Sequence, residues 1–116
     1  MMIEKTVLKY LKSSLADVTV LMEYPEEKQV PSVFLEKTGS SEQNMVQTAT
    51  FAVQSLDTSL QKAAELNEKV KTVMKAMEDD VPGIGCVRLT GDYNFTDTST
   101  KVYRYQAIYD ITYIEH

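Results

Sequence analysis

Residues 45–77, "MVQTATFAVQSLDTSLQKAAELNEKVKTVMKAM", change period halfway along, and that change decides the fold. The first part, 45–55, is rich in β-branched residues, and Ala49, Phe51 and Val53 alternate as one face of a strand. Beyond it, Leu56, Leu60, Ala63, Leu66, Val70, Val73 and Met77 recur at steps of 4, 3, 3, 4, 3 and 4. Only a helix gathers that series on one face. The helix is expected over 58–78, roughly 30 Å at about 1.5 Å per residue. Thr58 with Gln61 fits a capping box, with Asp57 as a rival cap. Glu65 and Lys69 form a favourable i,i+4 pair on the wet side. "EDDVPGIG" (78–85) ends the helix, because Pro82 and Gly83 do not continue it.

Upstream, "TGSSEQN" (38–44) reads as a polar turn or longer flexible loop, and "SVFLEK" (32–37) as a strand. "PEEKQVP" (25–31) is a charged loop between two prolines. "VTVLMEY" (18–24) reads as a strand with Val18, Val20 and Met22 on one side. Residues 3–15 form a short helix through Ile3, Val7, Leu8, Leu11 and Leu15, with Lys5, Lys9 and Lys12 opposite, as a solvated face or a stripe for an acidic partner. Downstream, "CVRLTGDYNF" (86–95) reads as a strand with Val87, Leu89, Tyr93 and Phe95 on one face and a bulge at Gly91. "TDTST" (96–100) is the turn. In 101–114, Tyr103, Tyr105, Ala107, Tyr109, Ile111 and Tyr113 alternate with Arg104, Gln106, Asp110 and Thr112. These tyrosines suit a core face or a half-wet interface. The order α-β-β-β-α-β-β predicts one α+β domain over 1–116. It has an N-terminal helix, three strands, one long helix and a C-terminal β-hairpin, in a mainly antiparallel sheet with the helices packed on one face.

Composition narrows the function classes. A chain of 116 residues buries about two thirds of its unfolded surface, enough for its own core. With 43% apolar and 25% charged residues it belongs with soluble globular domains. A net charge of −5 argues against nucleic acid as partner, since phosphate affinity comes from clustered Lys and Arg. Cys86 is the only cysteine, so no internal disulfide is expected. The N-terminal stretch is broken by Glu4, Lys5, Lys9 and Lys12, unlike the apolar run of a signal peptide. No window approaches a membrane span of about 20 apolar residues, so no membrane partner is expected.

Catalytic patterns fail one by one. His116 is the only histidine and the last residue, which leaves no Ser-His-Asp or Cys-His arrangement. Cys86 at a strand start reads as a buried structural thiol. "GIGCVR" places Arg88 where a dinucleotide fingerprint needs its third glycine, and it precedes a strand. Asp92, Asn94 and Thr96 imitate the first ligands of a calcium loop, but Asp97 replaces the required glycine and Tyr103 the required glutamate. "NFT" (94–96) is a glycosylation sequon that a cytosolic chain never presents to that machinery. Asp79 and Asp80 beside a helix end read as a solvated turn. No enzyme, cofactor or metal site is expected.

Three stretches together carry a resemblance: "FLEKTGSSEQNMVQTATFAVQS" (34–55), "SLQKAAELNEKVKTVM" (59–74) and "VRLTGDYNFTDTSTKVYRYQAIYDITY" (87–113). They resemble small tail-terminator (tail-completion) proteins of long-tailed bacteriophages and prophages of Gram-positive bacteria. The resemblance covers almost the whole chain. It implies an α+β subunit that assembles as a ring, usually a hexamer, caps the finished tail tube and prepares it to join the head. The implied partners are further copies of itself, the tail tube protein and head–tail connector proteins. The implied location is the host bacterial cytoplasm during assembly and then the virion tail. The family is not enzymatic, so no catalytic residue carries over. Candidate contact residues are Gly39, Ser40, Glu42 and Asn44 in the polar segment, expected to be mobile until a partner orders it, and Asp97 and Thr98 at the hairpin tip. Another head–tail connector or minor capsid component, and a small-molecule-binding or enzymatic α+β domain, are the alternatives.

Overall fold

The computed structural model describes residues 2–23 and 30–114. Helix α1, Ile3–Ser14, buries Ile3, Val7 and Leu11 and sets Glu4 in its first turn and Lys12 in its last, which suits the helix dipole. Strand β1 is only Thr19–Leu21, shorter than the expected 18–24. Val20 is buried, while Met22 already lies beyond the strand. Tyr24 and most of the expected 25–31 loop lie outside the described residues.

Strands β2, Ser32–Gln43, and β3, Val46–Asp57, are twelve residues each. They are joined by Asn44 and Met45 alone, with φ of 53° and 67°. This corrects the loop expected at 38–44. Two positive φ values make a tight turn whose twist matches the flanking strands, so the chain reverses in two residues. Residues 39–43 then fall into register with β3, from Gly39↔Thr50 to Gln43↔Val46. Backbone hydrogen bonds hold them there although Gly and Ser have low strand propensity and none of 39–43 carries an apolar side chain.

Helix α2, Leu60–Asp80, starts two residues later than expected. Its cap is Ser59, whose hydroxyl accepts the Lys62 N–H at 3.2 Å, not Thr58 or Asp57. Asp57 instead accepts the Thr58 N–H at 2.7 Å and remains the last residue of β3. The buried stripe is Ala63, Leu66, Asn67, Val70, Met74 and Met77. Leu56 therefore belongs to β3, Leu60 is 40% exposed, and Val73 packs only at the margin of the core. Val81 closes the helix by donating to the Met77 carbonyl at 3.1 Å, and Gly83, at φ 92°, turns the chain into β4, Ile84–Asn94. Strand β5 is Tyr103–Ile114.

Among the described residues the result is an α+β fold with two helices and one five-stranded sheet, ordered β1-β2-β3-β5-β4. Only β1–β2 is parallel; the other three pairings are antiparallel. Buried residues of both helices join Val33, Leu35, Phe51, Val53, Val87, Ala107, Tyr109 and Ile111 in one cluster. The odd positions of β5 enter that cluster from Ala107 to Tyr113, while Tyr103 and Tyr105 are half-buried. One expected face breaks in two. A register shift between Leu89 and Gly91 leaves Leu89 opposite Tyr109 but Tyr93 opposite Gln106. The bulge expected at Gly91 is there, and a one-residue slip sends every later side chain to the other face. Tyr93 and Phe95 therefore do not share a face with Val87 and Leu89.

Candidate functional site

The distal half of the β2–β3 hairpin is built from Glu36–Gln43 and the first residues of β3. Every residue from 36 to 46 is exposed. Gly39, Ser40 and Glu42 lie along this arm, and Asn44 is the first residue of its turn. Glu42 accepts a 2.7 Å hydrogen bond from Gln47 Nε2, which clamps the two strands near the tip. Lys37 Nζ reaches Glu4 Oε2 at 3.4 Å, tying the base of the arm to the start of α1. At the tip the polar arm ends in exposed apolar side chains: Met45 is 82% exposed, Val46 41%, and Ile114, directly across from Val46, 54%.

Asp97 and Thr98 lie in the β4–β5 connection. The Asp97 amide donates to Val102 O at 3.2 Å, and its carboxylate accepts the Ser99 hydroxyl at 2.7 Å and the Ser99 amide at 3.0 Å. These bonds from Ser99 hold the Asp97 carboxyl below the usual range. The residue is thus a turn brace, and Thr98 is the exposed residue beside it. Next to the turn, Phe95 lies 4.8 Å beneath the Arg104 guanidinium and edge-on to Tyr93 at 5.9 Å.

The fold does not bring these two groups of residues together. Asn44 sits just beyond the Val46↔Ile114 pair at one end of the sheet. Asp97 sits beyond the Asp57↔Tyr103 pair at the other end. The length of β3 alone separates them by on the order of 35 Å. They are two surfaces, not one.

A third feature escaped the sequence. Lys71, Lys75, Val87, Leu89 and Tyr109 line a cavity of about 240 Å³ between α2 and β4–β5. Tyr109 is 2% exposed, and its hydroxyl and the Oδ1 of buried Asn67 have no hydrogen-bond partner among the described residues. Burial, followed by the nearby Asp92 and Glu68 carboxylates, pushes the Tyr109 phenol upward. The two lysines are already neutralised: Lys71 by Asp92 at 2.6 Å and Glu68 at 2.8 Å, and Lys75 by Glu78 at 2.7 Å. The cavity is therefore an apolar slot, not an anion site. Asp92 is occupied by Lys71 and Asn67, and Asn94 by the Thr96 amide, so the imitation calcium loop does not converge. Among the described residues no group of three His, Cys, Asp or Glu is placed to hold a metal, and no helix is long and apolar enough to cross a membrane. Cys86, expected to be buried, is exposed, because the shift between Ile84 and Cys86 brings it opposite Thr112, away from the row of Ile84 and Val87.

No protein-family model matches the chain, and no curated protein matches it in sequence.

Proposed function

We propose that this chain is a structural subunit of phage tail completion. It caps the tail tube as a ring of identical copies, a hexamer in the resembled family, and prepares the tube for head–tail joining. Its partners are its own copies, the tail tube protein and head–tail connector proteins. Its place is the host cytoplasm during assembly and the virion tail afterwards. Both helices are taken to lie on one face of the sheet, which leaves edges, arm and hairpin turn for contacts. It is not an enzyme.

The observation that carries this reading is the arm. A strand pair exposed from 36 to 46 and tipped by Met45, Val46 and Ile114 is costly for an isolated monomer. An apolar tip on a polar stem is the expected form of a surface that is covered on assembly. The near full-length resemblance supplies the kind of assembly. The cavity beside Tyr109 favours a second reading, a small-molecule-binding α+β domain, because it offers an apolar wall between α2 and β4–β5. Another head–tail connector is a variant of the first reading.

Sedimentation velocity over a wide concentration range, with and without assembled tail tubes, tests the proposal. A ring or reversible association, or capture on tube ends, is expected. A strict monomer at every concentration that also ignores tubes overturns it. Saturable binding of a small apolar solute that shifts the Tyr109 signal, without any self-association, would favour the second reading.

A further inference from the structure

Among the described residues both flanks of the sheet are open, and they match each other. At one flank, β1 pairs with Ser32, Val33 and Phe34. Among the described residues, β2 from Leu35 to Gln43 has β3 as its one strand neighbour. At the other flank, β4 pairs only with β5 among the described residues. An unpaired strand edge presents a row of N–H and C=O groups, and what recognises such a row is another extended backbone.

The hairpin shows which groups face outward. The two-residue turn makes Gln43↔Val46 a hydrogen-bonded pair. Opposite pairs then alternate along an antiparallel ladder, so Gln43 and Ser41 bond inward while Glu42 and Ser40 turn their backbone N–H and C=O outward. The bulge between Lys37 and Gly39 lies below this run, which leaves Gly39–Gln43 uninterrupted. It carries no lysine and no proline, the residues that commonly protect an edge. Its only charge is Glu42, whose carboxylate is held by Gln47 on the neighbouring strand.

We infer that the outer edge of β2, Gly39–Gln43, is completed by the outer edge of β4 from a second copy of this chain. Strand direction carries the choice of occupant. β2 runs against β3, β3 against β5 and β5 against β4, so β2 and β4 of one copy are antiparallel to each other. A neighbour turned about an axis near the strand direction keeps its orientation along that axis. Its β4 then meets β2 antiparallel, and the alternation of the sheet continues across the boundary. Height agrees too: Ser40 is linked through Ala49 and Ile111 to Val87, so the two edges lie at one level. The contact joins two different surfaces, so each copy gives its β2 edge to one neighbour and its β4 edge to the other, as a closed ring requires. The inference rests on the ring reading and specifies its joint.

The test is Ser40→Pro. Proline removes an outward N–H and is tolerated at an edge position whose N–H faces solvent, so the β2–β3 ladder stays intact. Circular dichroism and melting verify that the variant folds. Its self-association constant is expected to fall by about ten-fold or more, as loss of edge hydrogen bonds at every joint would produce. Amide exchange on the unaltered chain is the second measurement. Ser40 and Glu42 are expected to exchange fast when dilute and to gain protection, together with β4 amides, in the associated fraction. A chain that associates while Ser40 and Glu42 stay unprotected, or a folded Ser40→Pro that associates as well as the parent, overturns this joint and leaves the ring reading standing. A parent chain that never associates and ignores tail tubes overturns both.

Discussion

At Met45 a residue other than glycine takes φ 67° while 82% of its surface meets water. The backbone position costs roughly 1–2 kcal/mol for an L-residue other than Gly, Asn or Asp, and the exposed thioether gains nothing in the free chain. Replacement by Gly relieves the strain and completes the Asn-Gly pair that such turns favour. Met45→Gly is expected to raise the melting temperature while weakening self-association or tube binding, read by melting and sedimentation on the same sample. A variant that melts higher and assembles normally would make Met45 incidental. Tyr109 poses the opposite case, a buried ring with an idle hydroxyl. Tyr109→Phe removes an unsatisfied polar atom and is expected to be neutral or stabilising, whereas Tyr109→Ala leaves a cavity and costs about 3–5 kcal/mol. Its phenol is raised in the folded state, so its contribution is complete below the ordinary tyrosine value of about 10 and fades as pH rises from there through the folded value. Denaturant titrations between neutral pH and strong alkali should show that loss in the parent and a smaller one in Tyr109→Phe.

Among the elements, α2 depends on its start and on its seam with β4. Ser59→Ala removes the hydroxyl that accepts the Lys62 N–H and is expected to cost about 1 kcal/mol. Thr58→Ala, which would disable the capping box read from the sequence, should change little. Equal losses from both would restore that box. At the seam, Asp92 ties β4 to Asn67 and Lys71. Burial alone would raise its pKa, but the hydrogen bonds from Lys71 and Asn67 outweigh burial and hold it low. A depressed carboxyl contributes stability above the ordinary value of about 4 and loses it as pH falls through the folded value. Asp92→Ala strands the amide of Asn67, 2% exposed, at a cost of about 1–3 kcal/mol. The acid limb of its stability curve should be flatter than the parent's, and an unchanged limb would remove Asp92 from that role.

For the whole molecule, the decisive fact is that the two candidate surfaces occupy opposite ends of the sheet. If the arm joins copies and the β4–β5 turn meets a different partner, their variants should separate by assay. Changes at Ser40 or Met45 are expected to alter self-association. Changes at Asp97 or Thr98 should leave self-association intact and impair joining to tubes or heads, scored by tail length and infectivity. Asp97→Ala will also loosen its turn, since two bonds from Ser99 end on that carboxylate. Thr98→Ala, which touches neither bond, keeps the assay interpretable. If both sets of variants fail in the same assay, the division between the two ends is wrong.

Periodicity alone was enough for the order of elements, because a period of two or of 3.6 must present its apolar side to something. The core residues Val7, Leu11, Phe51, Val53, Val70 and Ile111 follow from that rule directly. So does the bulge at Gly91, where a residue without a side chain interrupts a strand pattern. The polar run 39–43 was beyond such reasoning: backbone pairing with β3 makes it a strand, and backbone groups are the same in every sequence. The tertiary structure likewise decided which residue caps α2, which side of β4 Tyr93 occupies, and that Asn67 is buried and bonded to Asp92. Each depends on where a neighbouring element lies. The placement of Gly39 and Asp97 at opposite ends has the same origin, since the length and register of β3 and β5 set their separation, and no local pattern of residues encodes the distance between two turns.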